Sequence, residues 1–309
     1  MLVLLPSPLA VRRTFGAQAA ESFTIASGGQ PRAVIVVTRK SANPLVIKYA
    51  AEELQRIIHK ATGARLPIVD EPDTTRSPDG DTASLFVGPC RETERAGVGV
   101  AQLPANAFRI KTDGNRLFLN GKDGGTDVPR NDHVDMGTLF AVYEFLERQV
   151  GVRWLWPGDL GEYVPAHKRL VAGSWELTHV PQLKQRQWRF EASIHYGRQG
   201  WSSPDNVYYY KVDVYKWSRR HRFIRSYTLD YAEAYRDYWQ RFGKTHPEFF
   251  NLLPDGTRLP DGMRPGNVSM CVSEPGLWKQ LVADWQQTRT ADLPWVNAKP
   301  NDTPGKCTC

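Results

Sequence analysis

The sequence predicts an α/β protein in two parts. A mixed-sheet α/β domain comes first, followed by strands alternating with helices, as in a (β/α) barrel or another parallel sheet. Three observations predict this. β-branched runs alternate with amphipathic helices from about residue 33 onward. Two apolar strands flank Asp113-Gly114-Asn115, a hairpin signal that makes the first sheet mixed and not purely parallel. Charge and tryptophan content both shift near residue 180: residues 1–180 are net +1 with three tryptophans, and residues 181–309 are net +6 with seven. The 309 residues are 41% apolar and 24% charged without charge blocks, a composition that folds rather than staying disordered. No apolar run is long enough to span a bilayer.

The elements follow in order. Ala33–Val37 reads as a strand. Asn43-Pro44 opens a helix, with Asn at the N-cap and Pro at the first helical position. Ile47, Ala50, Ala51, Leu54, Ile57 and Ile58 keep helical spacing, and Gly63 stops the helix. Leu66–Val69 and Leu85–Val87 are strands, and 107–111 with 116–120 form the hairpin. Gly121–Gly125 follows that hairpin with no helix opening directly from it, so it reads as a flexible surface loop and not a phosphate cradle. Gly137–Gln149 is a helix ended by Gly151, and Val152–Trp156 leads away from it. After residue 180 come a strand at 185–190, a helix at 207–221 and an aromatic-striped helix at 232–244. A helix at 275–289 and a strand at 294–298 close the pattern. The stripe of Tyr235, Tyr238, Trp239 and Phe242 reads as core packing.

Residues 1–22 are apolar and then basic, the reverse of an export signal, yet Ala17-Gln18-Ala19 suits a signal peptidase. They read either as a degraded export signal or as a disordered tail. The dense basic run, Arg219, Arg220, His221, Arg222 and Arg225, lacks an RNA-binding context and reads as a helix end; no nucleic-acid partner is assigned. GxGxxG, P-loop, HExxH and G-x-S-x-G motifs are all missing from the sequence.

Two stretches carry a resemblance. Ala50-Ala51-Glu52-Glu53-Leu54 through Thr62-Gly63-Ala64 and Leu66-Pro67-Ile68 resembles the first helix and following strand of the non-catalytic N-terminal domain of α-glucuronidases. Gly137–Glu147, with Gly151–Trp154 and Pro157-Gly158, resembles the closing helix and exit of that domain. Downstream, His246–Phe250, Asn267–Pro275 and Asn301-Asp302 ahead of Cys307 and Cys309 resemble a largely uncharacterised bacterial family. Its members join the same domain to a glycoside-hydrolase-like barrel. The resemblance implies an N-terminal mixed-sheet α/β domain over 23–178 and the N-terminal part of a TIM-type (β/α) barrel over 181–309. It also implies a secreted or periplasmic bacterial protein that acts on carbohydrate and needs no cofactor. A whole barrel takes about 250 residues, so 309 residues are expected to hold one domain and an unfinished, inactive barrel.

Glycoside hydrolysis uses a pair of carboxyl groups. Asp302 is the catalytic candidate, because it follows the expected strand at 294–298 where a barrel's active-site loops begin. Asn301 beside it would bind a sugar hydroxyl, although an Asn-Asp turn can simply bond its own backbone. Arg186 would hold a hydroxyl or carboxylate through its planar fork, or sit in an ordinary ion pair. His195 would line the pocket, and Trp188 and Trp201 would stack on sugar rings or pack the barrel. Glu248 in His246-Pro247-Glu248 reads as a turn residue. No glutamate matches the general acid of characterised α-glucuronidases, which leaves the uronic-acid specificity open. Cys271, Cys307 and Cys309 could converge on zinc, but C-x-C is not the usual knuckle spacing and no fourth ligand is evident, so no metal site is assigned. The rival reading is a carbohydrate-binding protein without catalysis.

Overall fold

The computed structural model describes residues 22–38, 41–71, 82–125, 134–186, 209–225, 233–258, 264–290, 294–301 and 307–309. The chain divides into two compact units, the first running to Ser226 and the second from Tyr227 to Cys309.

In the first unit, β1 (Phe23–Ser27) turns into the short β2 (Gln30–Pro31) and the chain enters β3 (Ala33–Val37). Helix α1 (Pro44–Thr62) crosses to β4 (Ile68–Asp70), which lies parallel to β3. Next come β5 (Ala83–Val87), the short helix α2 (Arg91–Arg95), and the hairpin of β6 (Phe108–Asp113) with β7 (Arg116–Gly121). Helix α3 (Gly137–Phe145) continues as a π-helical turn to Val150. After it come β8 (Arg153–Trp154), β9 (Glu162–Tyr163), β10 (Arg169–Ala172) and β11 (Glu176–His179). The main sheet is six-stranded and mixed, in the order β11-β6-β7-β5-β3-β4. Strands β4, β3, β5 and β7 are parallel; β6 pairs antiparallel with β7, and β11 antiparallel with β6, so β6 is the one reversed strand of this sheet. A second sheet pairs β10 with β1 and β1 with β2.

Strand alternation sends side chains to two faces. Ala33, Ile35, Leu85, Val87, Leu117 and Leu119 meet α1 and α3 in the principal core. Val36, Phe86 and Phe118 point the other way, under a thinner cover that includes Val98. Phe86 and Phe118 stack there at 5.0 Å. Helix α1 begins where expected. The Asn43 side chain accepts from the Leu45 and Val46 amides at 3.2 and 3.3 Å, and left-handed Gly63 returns its amide to the His59 carbonyl.

The Gly121–Gly125 loop departs from the flexible surface loop expected of it. The Gly121 amide donates to Thr138 Oγ1 at 3.1 Å, and Asp123 accepts from the Thr138 amide and hydroxyl at 2.8 and 2.6 Å. Asp123 therefore caps α3 from a distant strand end. The sequence hides this because the capping residue precedes its helix by more than a turn. Gly121 and Gly137 also meet backbone to backbone, with no room for a Cβ on either.

The first unit continues past residue 180. Strand β12 (Gln185–Arg186) pairs antiparallel with β13 (Ile224–Arg225), and helix α4 (Tyr215–Arg220), entered through a π-helical stretch from Tyr209, lies between them in sequence. This is later than the boundary that the shift in charge and tryptophan suggests.

The second unit holds α5 (Tyr238–Phe242) and α6 (Pro275–Thr288) around Tyr235, Tyr238, Phe249, Phe250, Val268, Met270, Leu277 and Leu281. The aromatic stripe packs edge-to-face within this core, as expected of it. Two expectations are corrected. The helix over 232–244 is only a short turn, Tyr238–Phe242, preceded by turns. The strand over 294–298 is absent, and Trp295 and Val296 are exposed. A strand needs a neighbour to take its backbone hydrogen bonds, and among the described residues of this unit the only bridge joins Phe250 to Met270.

Candidate functional site

The sequence's candidate residues fall into two groups. Asp302, Trp188, His195 and Trp201 lie outside the described residues. Arg186 and Asn301 are described, and both are held by main-chain carbonyls. Arg186 donates through Nε to the Arg222 carbonyl at 2.8 Å and through Nη1 to the Leu183 carbonyl. Its fork thus fastens the β12–β13 pair, a role different from the ion pair that was the alternative to ligand binding. Asn301 is buried in the second unit. Its Nδ2 donates to the Val268 carbonyl at 2.7 Å and reaches the Tyr235 carbonyl at 3.5 Å, so the amide faces the protein. Its Oδ1 is buried with no hydrogen-bond partner. Asn301 therefore anchors the backbone immediately before Asp302.

A second anchored group follows Asp302 in the sequence, and its local spacing does not advertise it. Cys271, Cys307 and Cys309 converge, with all three sulfurs within 4.8 Å of one another. Sγ of Cys309 is 3.3 Å from that of Cys271 and 3.1 Å from that of Cys307. Three backbone segments build the cluster. The Asn251 amide donates to the Ser269 carbonyl and the Cys271 amide to the Phe249 carbonyl, which fixes Cys271. Leu252 then takes the third segment. Its amide donates to Cys307 Sγ at 3.3 Å, and its carbonyl accepts the Thr308 amide and hydroxyl, both at 2.9 Å. Burial and the neighbouring sulfurs push the Cys271 thiol up to about 11, against a Ser273 amide that favours the thiolate. For Cys307, burial is outweighed by hydrogen bonds from the Cys309 and Leu252 amides and from the other thiols, and the thiol falls to about 7. These three are the described residues suited to holding a metal.

The first unit contains a buried charge network. Glu162 accepts from Arg56 Nη1 and Nη2 at 2.7 and 2.8 Å, from Lys60 at 3.0 Å and from Trp154 Nε1 at 3.2 Å. Arg220 bridges Glu162 at 2.9 Å and Glu53 at 3.1 Å, with its guanidinium 5.0 Å above the Trp154 ring. Burial pushes both carboxyls up, but the surrounding cations outweigh it. Arg56 dominates at Glu162 and Arg220 at Glu53, and both groups settle below their ordinary values. An acid/base pair needs two carboxyls whose environments drive them apart, whereas these two are driven the same way. They work as a clamp joining α1, the β8–β9 hairpin and α4.

The basic run is placed by the same clamp. Arg219 and Arg220 are buried, and Arg222 pairs with Glu144 at 2.9 Å and Glu147 at 2.5 Å. Glu248 forms a local pair with His246 Nδ1 at 3.0 Å across an exposed turn, as its reading as a turn residue expects.

No protein-family model and no curated protein matches the chain. Among solved structures, it is similar to a family GH115 4-O-methyl-α-glucuronidase, BtGH115A, with specificity for decorated arabinogalactans. The identity is 19% and the TM-score 0.37, over 53% of this chain and 19% of that one. No described helix is long and apolar enough to cross a membrane.

Proposed function

We propose that the chain belongs to a glycoside-hydrolase-like protein of polysaccharide metabolism that is exported to the periplasm or beyond. It would cleave O-glycosyl bonds by carboxylate acid/base catalysis, with uronic-acid-bearing glycans as the first substrates to examine. In this reading residues 181–309 contribute the start of a (β/α) barrel. Asp302 donates a proton to the leaving oxygen, or serves as a pocket carboxylate, while water is activated by a second carboxylate.

The observation that carries the reading is the anchoring of Asn301 and Cys307, the described residues on either side of 302–306 in the sequence. Asn301 on one side and Cys307 on the other are each tied to fixed backbone, Asn301 through Val268 and Cys307 through Leu252. Further support comes from the stretches resembling the α-glucuronidase N-terminal domain. They form helix α1 with its Gly63 stop, and helix α3 with its turn at Gly151 leading into β8.

The test offers the purified protein a panel of uronic-acid-bearing and neutral oligosaccharides. Turnover that Asp302→Asn lowers by at least about 100-fold, with the fold retained, supports the assignment. Saturable binding without turnover favours the rival carbohydrate-binding reading, and unchanged turnover in Asp302→Asn removes Asp302 from the chemistry.

A further inference from the structure

We propose that Cys271, Cys307 and Cys309 form a binding site for one soft, thiophilic cation, either Zn²⁺ completed by a fourth ligand or Cu⁺ held by the three sulfurs alone. The geometry is close to what such an ion requires. Metal–sulfur bonds of about 2.3 Å around one centre place the sulfurs about 3.8–4.0 Å apart. Here two separations are 3.1 and 3.3 Å, and all three sulfurs lie within 4.8 Å. Small side-chain rotations bring them onto a common centre.

The surrounding backbone suits thiolates. The Leu252 amide donates to Cys307 Sγ at 3.3 Å. Such second-sphere donors orient ligand atoms and stabilise their charge. Cys271 is far in sequence from the other two, so the convergence is a product of the fold, not of local chain geometry. Three thiolates without a cation would repel one another. A bound ion compensates them, and the protons they release make binding pH-dependent. The C-x-C spacing argued against a two-residue knuckle, but Leu252 holds Thr308 between the two cysteines and turns both sulfurs toward Cys271.

The test uses the reduced, metal-stripped protein, titrated anaerobically with Zn²⁺, Co²⁺ and Cu⁺ separately. One equivalent per chain is expected for Zn²⁺ or Cu⁺, and the preferred ion tells the two forms apart. If Zn²⁺ is preferred, Co²⁺ should give sulfur-to-cobalt charge-transfer bands. The bound ion should shield Cys271, Cys307 and Cys309 from alkylation relative to the metal-free protein, while half-buried Cys90 should react alike with and without metal. Cys271→Ser and Cys309→Ser should abolish stoichiometric uptake, while Cys90→Ser should leave it intact. Thiol protection in the unmodified protein decides the matter if a serine variant fails to fold. The proposal is overturned if no saturable equivalent binds, if Cys271, Cys307 and Cys309 alkylate alike with and without metal, or if a disulfide among these cysteines persists under reducing conditions.

Discussion

Gly121 at the end of β7 and Gly137 at the start of α3 touch backbone to backbone. A Cβ on Gly121 would enter the Gly137 carbonyl carbon and the Thr138 amide, and a Cβ on Gly137 would lie 2.5 Å from the Ala107 carbonyl oxygen and the Lys122 amide. Neither obstacle is a flexible side-chain end that could swing aside. Gly137→Ala should therefore cost about 3 kcal/mol or more, at the upper end for overpacking. Gly114→Ala, at a positive-φ turn with open space around it, should cost only about 1 kcal/mol. Urea unfolding of the two variants checks the contrast; equal losses would contradict it.

The Glu162 clamp predicts a large effect from a conservative change. Glu162→Gln leaves Arg56, Lys60 and Arg220 facing a neutral amide in a buried setting and should cost about 3–5 kcal/mol. By contrast, Arg241→Met removes a half-exposed pair with Asp284 and should cost about 1 kcal/mol or less.

Acid should loosen the clamp. Glu53 and Glu162 titrate below their ordinary 4.5 when folded, so their contribution is complete above that value and fades as pH falls through the folded values. Unfolding midpoints should drop on acidification below about 4.5, and Glu162→Gln should flatten that drop.

Asp123 works in the opposite direction. Burial raises its carboxyl from 3.8 to about 7, against the Thr138 hydrogen bonds that favour the charged form. The folded state holds this proton more tightly than the unfolded state, so its contribution is complete below 3.8 and is lost as pH rises toward about 7. Asp123→Asn keeps an acceptor for the Thr138 amide and should remove the decline. Denaturation midpoints measured across that range for both proteins decide it.

Asn301→Ala should destabilise the second unit by about 1–3 kcal/mol, because it strands the buried Val268 carbonyl. Asn301→Asp, which cannot donate to a carbonyl, should be no better. A variant as stable as the parent would deny Asn301 its anchoring role.

The first unit was more legible than the second, for physical reasons. Its helix α1 advertises itself through Asn43, a 3.6-residue apolar period and Gly63, all local signals. Its hairpin is signalled by Asp113-Gly114-Asn115, of which Gly114 and Asn115 form a two-residue turn, and the alternation of Leu117, Phe118 and Leu119 reflects a sheet covered on both faces. Non-local partnerships were not legible. Asp123 caps α3 at Thr138, 15 positions on, and Glu162 meets Arg56 across 106 residues. The thiol cluster was visible as three candidates, but local spacing argued against it, since Leu252, which turns the C-x-C segment inward, shares no motif with it. Trp295-Val296 has the residue pattern of a strand, yet residues 294–298 take no strand conformation.

The clamp also sets where the molecule can be cut. Arg220 is the counter-ion that reaches both Glu53 and Glu162, and it lies about forty positions beyond the boundary that composition suggests. A protein shortened at residue 180 would keep every strand of the six-stranded sheet and yet lose that cation, leaving Glu53 with Arg56 as its remaining ion-pair partner among the described residues. Any recombination that transplants the first unit into another protein must carry the chain through residue 225, so the inheritable module is longer than its sheet.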